Sequence, residues 1–448
     1  MVKPMKIKVF FAVAFCKCVR FAAKLMGRGS SLPGQLTLKL FPDILKYIKL
    51  PSKVIAVTGS NGKTSTLEMI AHVLKSAGLK VAYNKEGSNQ IEGVTTFLLS
   101  DCTLSGRVKS DIVIMESDER FARHTFKHFK PNHLIITNLY RDQLTRNGHP
   151  EWVYDVISEC MDDSMELILN ADDPLVSKFG KDRENVRYFG ADRLSFDSES
   201  NDSVYHDGKY CPCCKAPMEY EYYHYNHIGK YACKNCGHKR NDTQWTITDA
   251  SLEEGFVTVN GKYKIEISFS SIYHCYNTLA AFAAADIAGV DMQVAAKALS
   301  NYDLSSGRIV EFKLSNREGT LLVSKHENSI SYDQSIRVAT ADKRGSSVMI
   351  IVDAISRKYD TYETSWLWDI DFEMLKNENI KEIVLAGKYH EDLKTRFSFT
   401  DIDEGIIKTF EKVSDAAEYL KQGEGYIYVI TCFSDKHKLL ELTQGGKA

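Results

Sequence analysis

Two groups of residues in this sequence carry chemistry by their type and spacing. The first is Val57-Thr58-Gly59-Ser60-Asn61-Gly62-Lys63-Thr64-Ser65, with an apolar, β-branched run before it and a helical pattern after it. A strand that turns through glycines into a helix offers backbone N–H groups and the positive helix end to an anion. Gly59, Ser60, Asn61, Gly62, Lys63, Thr64 and Ser65 thus form a candidate cradle for the phosphates of ATP. Lys63 is expected to reach the β- and γ-phosphates, and Thr64 to hold Mg²⁺. The strict form of such a loop has Gly where Val57 stands, so this loop is a variant. The second group is Cys211-x-x-Cys214 and Cys233-x-x-Cys236, with 18 residues between the two knuckles. Four thiolates at this spacing suit one tetrahedral Zn²⁺ in a closed, structural site. Cys213 lies inside the first knuckle, and His224 and His227 fall between the knuckles but are not expected as ligands.

The elements that must position these groups follow a βα rhythm. Lys53–Thr58, Leu79–Tyr83, Asp111–Met115, His133–Thr137 and Glu166–Asn170 read as strands, and Thr64–Ala77 as the helix after the loop. Strands alternating with helices imply a parallel sheet covered on both faces, with ligands at the carboxyl ends of its strands. Glu116, which closes the run from Asp111 beside the phosphate loop, is therefore a candidate to bind a second Mg²⁺ or to orient it through water. The cysteine cluster interrupts the rhythm, and the α/β text resumes with a helix over 274–288. Beyond a boundary near 310–318, Val348–Val352, Ile383–Leu385 and Tyr426–Ile430 read as strands of a smaller α/β domain.

At 448 residues the chain is long enough for two or three domains, and its 44% hydrophobic, 26% charged composition is that of a globular protein. A net charge of -2 gives no support to nucleic-acid binding. Eleven cysteines, mostly scattered, do not form a secreted disulfide framework and fit a reducing cytoplasm. The apolar stretch from Val9 to Met26 is interrupted by Lys17, Arg20 and Lys24 on one helical stripe, which argues against a membrane span. It reads as a basic amphipathic helix packed on the protein, with peripheral contact at the inner membrane face as the second reading.

Thr58-Gly59-Ser60-Asn61-Gly62-Lys63-Thr64 resembles the loop of the Mur ligases and folylpolyglutamate synthetases. Further motifs follow in order: Ser31-Leu32-Pro33-Gly34, Asn84-Lys85-Glu86-Gly87-Ser88-Asn89, Glu116-x-Asp118-Glu119, Thr137 to Leu144, Asn170-Ala171-Asp172-Asp173-Pro174, Gly307-Arg308-x-x-Glu311 and Ser365-Trp366-Leu367-Trp368-Asp369. Together they resemble the MurT family, the Mur ligase-like subunits of lipid II isoglutaminyl synthase, over nearly the whole chain. The resemblance implies an N-terminal helix and lead-in over 1–50 and a central Mur ligase-type ATP-binding domain over 51–310. It places the zinc ribbon as an insertion at about 205–242 and a Rossmann-like α/β domain at 311–448.

The activity it implies is amidation of the D-glutamate α-carboxylate of lipid II at the membrane surface, through an acyl phosphate. The ammonia would come from a separate glutaminase (GatD-like) subunit in a heterodimer. It assigns Asn138, Arg141, Asn170, Asp172 and Arg308 to the nucleotide, and Lys63 and Glu116 to catalysis. An acid of the last domain would complete the partner's Cys-His pair, with Asp360, Glu363 and Asp369 left open. The chain departs from the family pattern at Tyr359 to Thr364, at Lys325-His326-Glu327-Asn328-Ser329 and at Ile430-Thr431-Cys432. Rival readings are a Mur or folate-type ligase that joins an amino acid, and a nucleotide-binding scaffold without catalysis.

Overall fold

The computed structural model describes residues 2–26, 29–84, 89–142, 147–201, 203–269, 271–303, 309–355 and 362–443. Two compact units emerge. The first comprises Met1–Tyr140, Pro150–Asn201 and His206–Asp303; the second Arg141–His149, Asp202–Tyr205 and Leu304–Ala448.

The first unit is built on β1 (Lys53–Thr58), β2 (Val81–Ala82), β3 (Ile112–Glu116), β4 (His133–Ile136), β5 (Glu166–Asn170) and β6 (Val186–Ala191). These join β9 (Trp245–Ser251), β10 (Phe256–Val259) and β11 (Tyr263–Glu266) in one sheet, ordered β11-β10-β9-β6-β5-β4-β1-β3-β2. From β2 to β9 every pairing is parallel. The central strands are buried along almost their whole length, which is why they read as continuous apolar runs. Chain order reverses at β1, which lies between β3 and β4, so the loop after β1 opens at the switch point where such sheets bind ligands.

The sheet differs from a purely parallel expectation at one edge, where β9, β10 and β11 pair antiparallel. The cause is local. Asn260 and Gly261 both have positive φ (53° and 64°) in the three-residue loop that pairs Val259 with Tyr263. A two-stranded hairpin, β7 (Glu219–Tyr225) with β8 (Ile228–Ala232), lies between β6 and β9 in the chain and carries the cysteine knuckles at its base.

Helix α1 (Val2–Leu25) packs one face inward through Val9, Ala12, Val13, Cys16 and Ala23, all at most 4% exposed. It rests against α2 (Leu32–Leu40) and α4 (Ile91–Asp101), and Lys17 Nζ donates to Cys102 O at 2.6 Å. Among the described residues, no helix is long and apolar enough to cross a membrane.

The second unit contains β12 (Ile309–Leu314), β13 (Arg317–Ser324), β14 (Ser346–Ile351), β15 (Ile380–Ala386), β16 (Ile407–Phe410) and β17 (Tyr426–Cys432). Their order is β12-β13-β17-β14-β15-β16, parallel except for the β12–β13 hairpin. Apolar clusters cover both faces, one centred on Val348, Ile350, Leu385 and Ile430, the other on Met349, Ile351, Val384 and Val429. Alternate residues of one strand thus feed opposite layers.

Candidate active site and metal centre

The loop after β1 is held in shape by its neighbour β4. Ser60 N donates to Asn138 O at 2.9 Å, Asn61 N to Asn138 Oδ1 at 2.8 Å, and Thr137 Oγ1 to Asn61 O at 2.8 Å. Asn138, expected at the nucleotide, thus clamps the loop itself. Gly59 and Gly62 have φ of 133° and 83°, a region that favours glycine. A Cβ at Gly59 would lie 2.3 Å from Thr137 Oγ1, and one at Gly62 2.1 Å from Asn277 Oδ1. The tight turn therefore depends on both glycines. Gly62 caps α3 (Lys63–Ser76), whose first turn carries Lys63, Thr64 and Ser65.

Lys63 folds back over this loop. Its ammonium donates to Gly59 O, lies 3.3 Å from Ser60 O and forms an ion pair with Glu119 Oε2 at 2.9 Å. Both side chains are nearly buried, 9% and 4% exposed. The lysine is therefore held at the loop with a carboxylate that a phosphate group can replace.

Beside it, Thr64 Oγ1 donates to Glu116 Oε2 at 2.7 Å, and Asn89 Nδ2 donates to Glu116 Oε1 at 3.0 Å. Glu116 N in turn donates to Asn84 Oδ1 at 3.2 Å. The two expected Mg²⁺ ligands thus meet at the carboxyl end of β3 and the start of α3. A hydroxyl and a carboxylate offer hard oxygen donors that fit a magnesium ion with its remaining waters, and the Asn89 amide N–H braces the carboxylate.

Asn170 ends β5 and Asp172 follows it, and both are fully buried. Asn170 Nδ2 donates to Thr137 O at 2.9 Å, and its Oδ1 accepts from Asp172 N at 3.0 Å. Asp172 accepts from Ala191 N at 2.7 Å, from Tyr276 OH at 2.6 Å and from Arg240 Nε. With its oxygens taken by three donors and no exposed surface, Asp172 anchors the ribbon insertion to β5. This geometry argues against the direct nucleotide contact that the resemblance implies for it. Asp173 caps the next turn, accepting from Leu175 N and Val176 N, and ties Leu139 N at 2.8 Å.

The hairpin of the insertion reaches the loop through Tyr140. Tyr140 N donates to Ser60 Oγ at 2.9 Å, its hydroxyl shares a hydrogen bond with Tyr225 OH, and its ring meets His227 edge-on at 5.2 Å. Burial holds the Tyr140, Tyr225 and Tyr276 hydroxyls well above the usual phenol range, so they stay neutral.

The sulfurs of Cys211, Cys214, Cys233 and Cys236 all lie within 4.8 Å of one another. Cys211 and Cys236 are 3.6 Å apart, and Cys214 and Cys233 3.5 Å. These separations are far too long for disulfides and close to the ~3.8 Å edge of a tetrahedron with Zn–S bonds of about 2.3 Å. Cys213 is outside this set. His224 pairs instead with Asp197 at 2.8 Å, and His227 Nε2 lies 3.8 Å from Asp173, in keeping with their exclusion as ligands.

Within the second unit, Arg141 Nη1 lies 3.3 Å from Asp369 Oδ1, and the Arg141 guanidinium covers the Tyr205 ring. Asp142 is buried by Lys325 and by Asn328, whose Nδ2 donates at 2.8 Å. The segment that departs from the family pattern therefore serves as a clamp on Asp142. Asp369 closes the short helix Ser365–Asp369, and Glu363 Oε1 accepts from Ser365 N at 2.8 Å. Arg308 and Asp360 lie outside the described residues. Sequence reasoning did not single out Asn277, on the helix Ile272–Ala288, whose Oδ1 faces Gly62 and accepts from Thr66 Oγ1 at 3.3 Å. A polar residue early in an otherwise apolar helix was the available signal.

Comparison with known proteins places this geometry. Residues 57–237 match the Mur ligase middle domain, and residues 326–435 the MurT ligase C-terminal domain. The chain is 30% identical over 407 residues to the MurT subunit of lipid II isoglutaminyl synthase from Streptococcus pneumoniae, covering 88% of each chain. It is 28% identical to the same subunit from Staphylococcus aureus, over 88% of this chain and 89% of the other. Among solved structures it is similar to a pseudomurein peptide ligase type C from Methanothermus fervidus (TM-score 0.68, 22% identity, 90% of this chain and 80% of that one). It also matches MurF from Acinetobacter baumannii (TM-score 0.63, 15% identity, 91% and 80%). These structural matches show the Mur ligase fold. Sequence and fold agree that the chain belongs to the MurT family of Mur ligase-type proteins.

Proposed function

We propose that this chain is the ATP-using subunit of a lipid II isoglutaminyl synthase in peptidoglycan synthesis. It would convert the α-carboxylate of D-glutamate in the lipid II stem to a carboxamide. The observation that carries the reading is the adjacency of Lys63 to the Thr64–Glu116 oxygen pair, held by the Asn89 N–H, at the start of α3.

The loop amides and the end of α3 bind the phosphates of ATP, and Lys63 exchanges Glu119 for the transferring phosphoryl group. Thr64 and Glu116 are the residues that would hold Mg²⁺, which supplies further charge neutralisation when bound. Asn138 keeps the loop in shape. Asn170 supports the rim of the nucleotide site, with Asp172 as a buried brace and Arg141 and Arg308 as further nucleotide contacts. A carboxylate oxygen attacks the γ-phosphorus and the bond to ADP breaks, giving an acyl phosphate and ADP. Ammonia then adds to the acyl carbon, phosphate leaves and a proton is released, so the C–O bond is replaced by C–N.

The ammonia comes from glutamine on a separate glutaminase subunit, and one acid of the last domain, among Asp360, Glu363 and Asp369, orients that partner's histidine. The work takes place at the inner membrane face, where a lipid-linked substrate lies. The four cysteines hold a structural Zn²⁺, which braces the hairpin behind Tyr140. Phosphate release from ATP, measured with lipid II, glutamine and the partner glutaminase each omitted in turn, tests this. Release that never depends on lipid II or a related muropeptide sinks the ligase reading and leaves the scaffold.

A further inference from the structure

Helix α1 presents two faces of opposite character. Its inner face is the packed one already described. On its outer face, Ile7, Phe10, Phe11, Phe21 and Leu25 are 57%, 44%, 59%, 75% and 81% exposed. Ile7, Phe11, Cys18, Phe21 and Leu25 recur at helical spacing along one stripe, some 27 Å long at about 1.5 Å per residue. Single exposed apolar residues need no explanation, but a row of large apolar side chains along one face of a helix does.

The charge around the stripe is one-sided. Residues 1–42 contain eight Lys or Arg and no Asp or Glu, in a chain whose net charge is -2. Lys6 and Lys24 are exposed on one shoulder of the stripe, whereas Lys17, on the same row, is turned inward to Cys102 O. We propose that the outer face of α1 docks on an anionic lipid bilayer, the phenyl rings and Leu25 entering the headgroup boundary and the lysines meeting lipid phosphates.

Charge favours lipid over a second copy of this chain, which would set Lys6 and Lys24 against their own counterparts with no acid on the helix to pair them. An anionic bilayer meets those cations with lipid phosphates. The proposal deepens the placement of the enzyme at the membrane, yet it rests on this surface and not on the ligase reaction.

Flotation of the full chain with vesicles of phosphatidylcholine, with and without phosphatidylglycerol, tests it without any substrate. Binding should require the anionic lipid and fall at least tenfold in pure phosphatidylcholine. The triple variant F11S/F21S/L25S and the charge variant K6E/K24E should each lose at least tenfold, with unchanged thermal melting, because all five side chains face outward. Failure of the wild-type chain to float with anionic vesicles overturns the proposal. So does equal binding by the variants. Self-association that the triple variant abolishes, seen by sedimentation without vesicles, would show that a second copy covers the face and would overturn it too. None of these outcomes bears on ATP-dependent amidation, which is measured separately.

Discussion

Replacing Lys63 with Met separates what the lysine does for stability from what it does for chemistry. In the structure its ammonium is paired with Glu119 at 2.9 Å, and the two side chains are 9% and 4% exposed. Removing the cation leaves a carboxylate in a nearly dry site, and breaking a buried pair from one side costs roughly 3–5 kcal/mol. At about 2–4 °C per kcal/mol for a unit of this size, the melting temperature should fall by roughly 6–20 °C. The double variant K63M/E119Q removes the stranded charge and should recover most of that loss. ATP turnover should not recover, because no group remains to meet the phosphoryl charge; a loss of about 10²–10³ is expected in both variants. Differential scanning fluorimetry and a phosphate-release assay read the two effects apart. An unchanged melting temperature in K63M, or restored turnover in K63M/E119Q, would refute the reasoning.

Other consequences can be checked in the same preparations. Glu116→Gln should keep the fold while lowering turnover about 10²-fold and raising the Mg²⁺ needed for half-maximal rate; an unchanged Mg²⁺ titration removes Glu116 from the metal site. Protein purified without chelator should carry one zinc per chain, and Cys214→Ser with Cys236→Ser should abolish it; less than about half an equivalent in the wild type contradicts the four-thiolate site. Tyr140→Phe strands the buried Tyr225 hydroxyl and should cost about 1–3 kcal/mol in denaturant unfolding, whereas a neutral result would detach the hairpin from the loop. His274 is buried, and burial pulls its imidazole down to about 4 from an ordinary 6.5. The unfolded chain therefore takes up the proton first. The resulting stability is fully present above about pH 6.5 and is lost as pH falls toward about 4, by roughly 3 kcal/mol. His274→Gln should flatten that part of the stability curve, and an unaltered slope would show that another group is responsible.

Much of the nucleotide end was legible because its determinants are local. The β1 strand, the two glycines, Lys63-Thr64 and the opening of α3 are contiguous in the chain, and β3 to β5 announce themselves as buried apolar runs. The cysteine knuckles were legible for the same reason, since four sulfurs converge from two short turns. Other features depend on contacts distant in sequence. Asn277 meets Gly62 only after the helix Ile272–Ala288 packs across α3. Asp172 carries an acid in the right motif, yet Tyr276 and Arg240, far along the chain, turn it into a buried brace. The β10–β11 hairpin carried its Asn260-Gly261 turn and alternating residues openly, but a parallel expectation for the sheet obscured it. In α1, the cations at 17, 20 and 24 drew attention to one stripe. The apolar stripe beside it became distinct only when the inner face was seen packed.

The central claim is that this chain activates a carboxylate on a lipid-linked muropeptide for attack by ammonia. Its most direct test supplies lipid II, ATP, Mg²⁺ and glutamine labelled with heavy nitrogen in its amide, together with the partner glutaminase, and examines the muropeptide by mass spectrometry. One labelled carboxamide is expected on the stem glutamate, formed only with ATP and lost in K63M. Unlabelled or unchanged muropeptide, with both subunits present and glutamine consumed, would contradict it.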